Sequence, residues 1–235
     1  MARPSAPTFV ADPLAAALSR GERPPQFGIA CNVNFPPPPA ARAPYEGLVA
    51  ECRRELAAAG VPADTLYWYP FEHLHVTVAT FVAFTATMYE GGDARAAATA
   101  AWVDWARRRL PSVLCAFELT ARRVVVSGAA VFLLYDESVE IAALRRLIEE
   151  ARTDGALLAA GAFAGGFKIP GIIHTTIARP TVVPRDPDAV SAALAAGMAW
   201  KPLTMACDAV HVVLEERPYM HIERCERTEL WSSHA

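Results

Sequence analysis

A repeated strand constrains this chain more than any other feature. "HLHVTVATF" runs from His73 to Phe81, and "HTTIARP" begins at His174. Superposed, the runs agree over five consecutive slots: His75-Val76-Thr77-Val78-Ala79 against His174-Thr175-Thr176-Ile177-Ala178. The copies lie 99 positions apart (174 − 75). Each run is short, apolar and β-branched, as a buried strand should be, yet each carries an imidazole and hydroxyls. Any fold for this chain has to place both strands and everything that separates them.

The segments around the two runs alternate in type. "FGIACNVNF" (27–35) reads as a buried strand stopped by Pro36 to Pro39. A helix follows, with Pro44 near its start, Leu48, Val49, Cys52 and Leu56 at helical spacing, and Gly60 at its stop. Pro70 breaks the next strand region before the first histidine run. Helices are expected over 93–110, with Trp102, Trp105 and Leu110 on one side, and over 138–153. In the second, Ser138 is the N-cap and Ile141, Leu144, Leu147 and Ile148 form the stripe. A hairpin is expected at Ser127-Gly128, a glycine-rich loop at "GGFKIPG", a short helix at "DPDAVSAALAAGM", and two or three strands at the C-terminal end. Hairpins mixed with helices argue against a doubly wound parallel sheet. The expected class is α+β, with two pseudo-symmetric lobes, antiparallel sheets, helices on the outside and a central cleft. Residues 1–25 read as an N-terminal leader with a short helix at "DPLAAALSRG", and 26–235 as a single two-lobed domain.

Composition narrows the function. Of 235 residues, 53% are hydrophobic, which is ample material for a core. The net charge of −3 argues against a protein that coats long duplex nucleic acid through many phosphate contacts. A short nucleotide or an RNA end needs only a local cluster of donors. Five cysteines (31, 52, 115, 207 and 225) with no CxxC spacing point to neither a disulfide framework nor a zinc knuckle. No apolar run approaches the ~20 residues of a membrane span. A reducing, cytoplasmic location and a monomer are the expectations, with organelle targeting left open by Arg3, Arg20 and Arg23.

Strand geometry then gives the chemistry. Side chains two apart share a face, so His75, Thr77 and Ala79 are expected on one side of their strand, and His174, Thr176 and Ala178 on one side of theirs. The small alanines would leave room for a ligand. By the same parity Arg179 turns away from His174. A phosphodiester needs one group to take a proton from the attacking oxygen and another to give a proton to the leaving oxygen. Histidine serves either role near neutrality. Threonine hydroxyls can donate to the non-bridging phosphate oxygens, which gather charge in the transition state.

This pair of H-x-T-h motifs, h being aliphatic, resembles the two-histidine (2H) phosphoesterase superfamily, in its LigT-like and cyclic-phosphodiesterase branches. The resemblance implies two adjacent central strands facing a cleft between lobes, with no metal and no other cofactor. It implies that His75 and His174 are the acid/base pair and that Thr77 and Thr176 hold phosphate. It implies hydrolysis of a nucleotide or RNA 3′-end phosphodiester, foremost a 2′,3′-cyclic phosphate, with His174 activating water and His75 protonating the leaving oxygen. Thr175 departs from the pattern, which has an aliphatic residue there.

Other readings stand beside this one. The same cleft would also suit a nucleotide-binding module with little turnover. His73, His75 and His174 could instead be metal ligands, but such a site usually includes a carboxylate, and no matched Asp or Glu recurs beside His174. His73 otherwise reads as a rim residue. Tyr69, in the Tyr67-Trp68-Tyr69 cluster, is either core or a stacking face for a base. In the glycine-rich loop, Lys168 could reach a phosphate and Phe167 could cover a base, with the glycines suiting a lid. Arg107 to Arg109 suit the C-terminal end of a helix dipole.

Overall fold

The computed structural model describes residues 8–22, 27–33, 37–83, 92–110, 116–136, 138–197, 203–215 and 227–233. In chain order they form α1 (Pro13–Ser19), β1 (Gly28–Val33), α2 (Arg42–Ala58), β2 (Leu66–Trp68), β3 (Val76–Val82), α3 (Gly92–Arg109), β4 (Phe117–Val126) and β5 (Val131–Tyr135). Then come α4 (Val139–Glu150), α5 (Gly155–Ala159), β6 (Ile173–Pro180), α6 (Pro187–Gly197), β7 (Leu203–Cys207), β8 (Val210–Glu215) and β9 (Arg227–Ser232). The class is α+β, as expected. Two antiparallel sheets carry it, one ordered β3-β1-β8-β9 and the other β2-β6-β5-β4-β7. One histidine motif belongs to each sheet.

Local chemistry explains most element ends. Ser138 Oγ accepts from the Ile141 amide at 3.1 Å and starts α4, while Ile141, Leu144 and Ile148 bury its stripe. α2 begins two residues before the expected Pro44, which therefore sits in the first turn, where its missing N–H costs nothing. α5 was not anticipated. Its five residues have too short a pattern to show a period, and Asp154 caps it. The hairpin between β4 and β5 turns at Ser127–Ala130. Gly128 is required there, because a Cβ would lie 1.9 Å from the Thr8 carbonyl oxygen. The C-terminal end supplies three strands.

α2 and α6 pack on each other, with Gly197 against the backbone of Cys52. α3 packs against β9 and α4 against β3, both strands of the four-stranded sheet. Phe81 of β3 stacks on Trp102 of α3 at 3.9 Å between centroids and 10° between planes. Trp105 meets the pair edge-on. These large apolar rings contribute much of the free energy that holds α3 to the sheet. Cys31, Cys52 and Cys207 are buried thiols, and burial pushes the Cys31 thiol up to about 12. Among the described residues no helix is long and apolar enough to cross a membrane.

The N-terminal segment is not detached from the sheets. Phe9 is buried, the Val10 amide donates to Gly128 and the Asp12 amide to Pro180, each at 2.8 Å.

Candidate functional site

A groove of about 330 Å³ opens between the sheets and is lined on one side by His75, Thr77 and Thr80, and on the other by His174, Thr176 and Arg179. Tyr69, Lys168 and Glu215 complete its polar surface. The two motifs therefore line one groove.

The residues that follow each threonine differ from simple strand parity. In β3, Cys31 pairs with Ala79 but Asn32 pairs with Thr77, so Val78 is an extra residue in the ladder. In β6, Val131 pairs with Ala178 but Phe132 with Thr176, so Ile177 is extra in the same way. Each bulge resets the alternation. Ala79 and Ala178, expected to face the cleft, are instead fully buried behind it. Thr80 and Arg179 take the cleft face in their stead. The bulges fall on equivalent residues of the repeat, 78 and 177, and so preserve its symmetry while changing its third member.

Arg179 is held on both sides. Its Nε donates to the Tyr69 hydroxyl at 3.2 Å, and its Nη1 pairs with the Asp12 carboxylate at 3.2 Å. Asp12 is also the N-cap of α1, accepting from the Leu14 and Ala15 amides. The segment read as a leader thus braces a cleft cation. Tyr69 is 5% exposed, and its amide donates to the Ile177 carbonyl. It is fixed in the wall of the groove, largely buried, rather than a mobile stacking face.

The two imidazoles are held differently. His75 Nδ1 lies 2.7 Å from the His73 carbonyl, the geometry of a donated N–H, which assigns proton transfer to Nε2. His174 Nδ1 is buried and makes no regular hydrogen bond. The Ile172 carbonyl, the equivalent group two residues back, accepts from Arg145 Nη2 at 2.9 Å. Burial, the largest cause, pushes the His174 imidazole below the ordinary histidine value. The Ile172 carbonyl opposes that shift, and Arg179, Arg145 and Lys168 reinforce it. The Phe132 ring meets His174 edge-on at 5.2 Å.

Three expectations are corrected by position. His73 is not on the strand. Phe71–His73 form a 3₁₀ turn, and the His73 side chain is 1% exposed and outside the groove lining. Its backbone carbonyl, not its ring, serves the site, and the H-x-H face imagined for a metal does not form. Phe167 does not cover the groove. It stacks parallel to Trp102 at 5.8 Å, with Phe163 against its edge and Arg152 over its face at 4.4 Å. The glycine-rich loop is fastened rather than hinged as a lid. Lys168 and Thr80 exchange both backbone hydrogen bonds, and the Ala83 amide donates to Gly165. That pairing holds Lys168 at the groove. His211 pairs with Glu229 through Nδ1 at 2.6 Å and does not line the groove. His221 and His234 lie outside the described residues.

Sequence reasoning missed Thr80, Arg179, Glu215 and Asp12. Thr80 and Arg179 share the 99-residue offset of the other pairs (179 − 80), so extending the superposition by one slot would have pointed to them.

No family model matches this chain, and no curated protein does. Among solved structures the chain is similar to TT0787 of Thermus thermophilus, with 14% identity and a TM-score of 0.52, over 87% of this chain and 96% of that one. It also matches the conserved protein of unknown function ATU0111 from Agrobacterium tumefaciens str. C58, with 18% identity and a TM-score of 0.46, over 89% of each chain. The likeness to TT0787 is one of fold, extending over nearly the whole of both chains.

Proposed function

We propose that this protein is a phosphodiesterase of the two-histidine type, acting on a nucleotide or RNA 3′-end phosphodiester without a metal and foremost opening a 2′,3′-cyclic phosphate. One observation carries the reading: both H-x-T triplets face a single groove, each with its imidazole and hydroxyl side by side. The two-lobed α+β architecture that the motif resemblance implies supports it.

The roles follow from the surroundings. His174, kept neutral by burial and by nearby cations, accepts the proton of the attacking water. His75, with Nδ1 engaged by the His73 carbonyl, donates from Nε2 to the leaving oxygen. Thr77 and Thr176 donate to the non-bridging oxygens, and Arg179 and Lys168 attract the anion and stabilise its developing charge. In the reverse reaction the histidines exchange roles. A cytoplasmic, monomeric protein fits this activity.

The test is turnover of 2′,3′-cyclic mononucleotides and of short RNAs with cyclic ends, after EDTA treatment. Hydrolysis that survives chelation and follows a bell-shaped pH profile is the expected result. Loss of all activity on chelation would shift the chemistry to a metal. Saturable binding without product would make the groove a binding module.

A further inference from the structure

Thr175 sits next to His174 in the chain but on the opposite face of β6, 1% exposed. It stands where the two-histidine pattern has an aliphatic residue. Its hydroxyl is occupied twice. Oγ1 donates to the backbone carbonyl of His75 at 3.0 Å and accepts from the Tyr135 hydroxyl at 3.1 Å. Tyr135 lies on β5, opposite Ile173 in the ladder, and is 4% exposed. The chain of bonds runs from β5 through β6 to the residue just before β3, crossing from the five-stranded sheet to the four-stranded one.

An aliphatic side chain at 175 would fill the same space and fix nothing. A hydroxyl in a dry environment must be satisfied, and both of its bonds here are directional. The buried Tyr135 hydroxyl gives its proton to Thr175, and that donation commits the Thr175 proton to the His75 carbonyl. His75 is then held at two points: its ring by the His73 carbonyl and its backbone by the neighbour of His174.

We propose that Thr175, oriented by Tyr135, is a positioning residue that sets the distance between the His75 and His174 imidazoles by tying their two sheets together at the motif. This rests on the reading of the groove as a two-histidine active site. Acid and base must flank one phosphorus, and a displacement near 1 Å is enough to spoil that geometry. Thr175 itself touches no substrate.

The experiment compares Thr175→Val, Thr175→Ser and Tyr135→Phe. Each is assayed on a 2′,3′-cyclic nucleotide, melted by circular dichroism, and examined substrate-free by NMR of the histidine imidazoles. Thr175→Val should lower kcat on the order of ten- to a hundredfold with KM little changed, and should move the His75 resonances. Thr175→Ser should restore both. Tyr135→Phe, which keeps the carbonyl bond but removes the donor that orients it, should fall between, and carries the test if Thr175→Val does not fold. A folded Thr175→Val with wild-type kcat and unmoved His75 resonances overturns the proposal. So does a lower melting temperature alone, with kcat per folded molecule unchanged. If the wild type turns over no cyclic phosphodiester, yet His75 moves in Thr175→Val and returns in Thr175→Ser, the clamp stands and the reaction assigned to the groove falls.

Discussion

Arg179 occupies in β6 the slot that Thr80 occupies in β3. Each follows its motif threonine by three positions, each lies past a one-residue bulge, and each faces the groove. The groove is therefore symmetric in its imidazoles and hydroxyls but asymmetric in charge. Arg179 and Lys168 stand near His174, where they disfavour its protonation. This asymmetry separates the roles of two otherwise matched histidines.

Replacing either His75 or His174 by alanine should reduce kcat on a 2′,3′-cyclic substrate by roughly 10²–10⁴. The double variant should fall little further, because acid and base act as a unit. Steady-state kinetics on the three proteins checks this, and full activity in either single variant would remove that histidine from the mechanism.

The pH dependence has a definite sign. His174 must be neutral to accept a proton, and burial lowers its proton affinity. The acid limb of kcat/KM should thus lie below the ordinary histidine value of about 6.5. Stability follows the same linkage. The native state binds fewer protons at this site than the unfolded chain does, so the contribution is intact above the unfolded value and is lost as pH falls through the folded one. Urea titrations from neutral to mildly acidic pH should show that loss, and His174→Gln should flatten it.

Arg179→Met should raise KM for an anionic substrate and weaken its salt dependence, costing about tenfold or more in kcat/KM, as expected for a hydrogen bond to a charged group. Asp12→Ala should show a smaller KM effect, because Arg179 keeps its Tyr69 contact. It should also destabilise the protein by roughly 0.5–2 kcal/mol through loss of the α1 cap. Kinetics at two ionic strengths and thermal melts separate the two effects. An unchanged KM in Arg179→Met would take that cation out of substrate binding.

Trp102→Ala should cost about 3–5 kcal/mol, since the ring is fully buried against Phe81 and Phe167. The same stack underlies the loop that carries Lys168, so the residual folded protein should also bind substrate more weakly. Denaturant titration and KM measurement check the pair of effects.

What the sequence determined by itself was local. The helical stripes, the Ser138 cap, the hairpin at Ser127-Gly128 and the two H-x-T slots are patterns within a few residues, and short-range sterics and amphipathicity write them directly into the chain. The tertiary structure decided which partner each strand residue meets. Val78 and Ile177 bulge because β1 and β5 oppose them with one residue fewer, and no pattern inside β3 or β6 records that count. The bulges bury Ala79 and Ala178 and turn Arg179 into the groove. Pairing of distant segments likewise buried His73, set Phe167 among aromatic rings rather than over the cleft, brought Asp12 to Arg179, and joined Thr175 to the carbonyl of His75. Each of these contacts depends on how the sheets and helices pack, which is set by the whole core and not by the residues nearby.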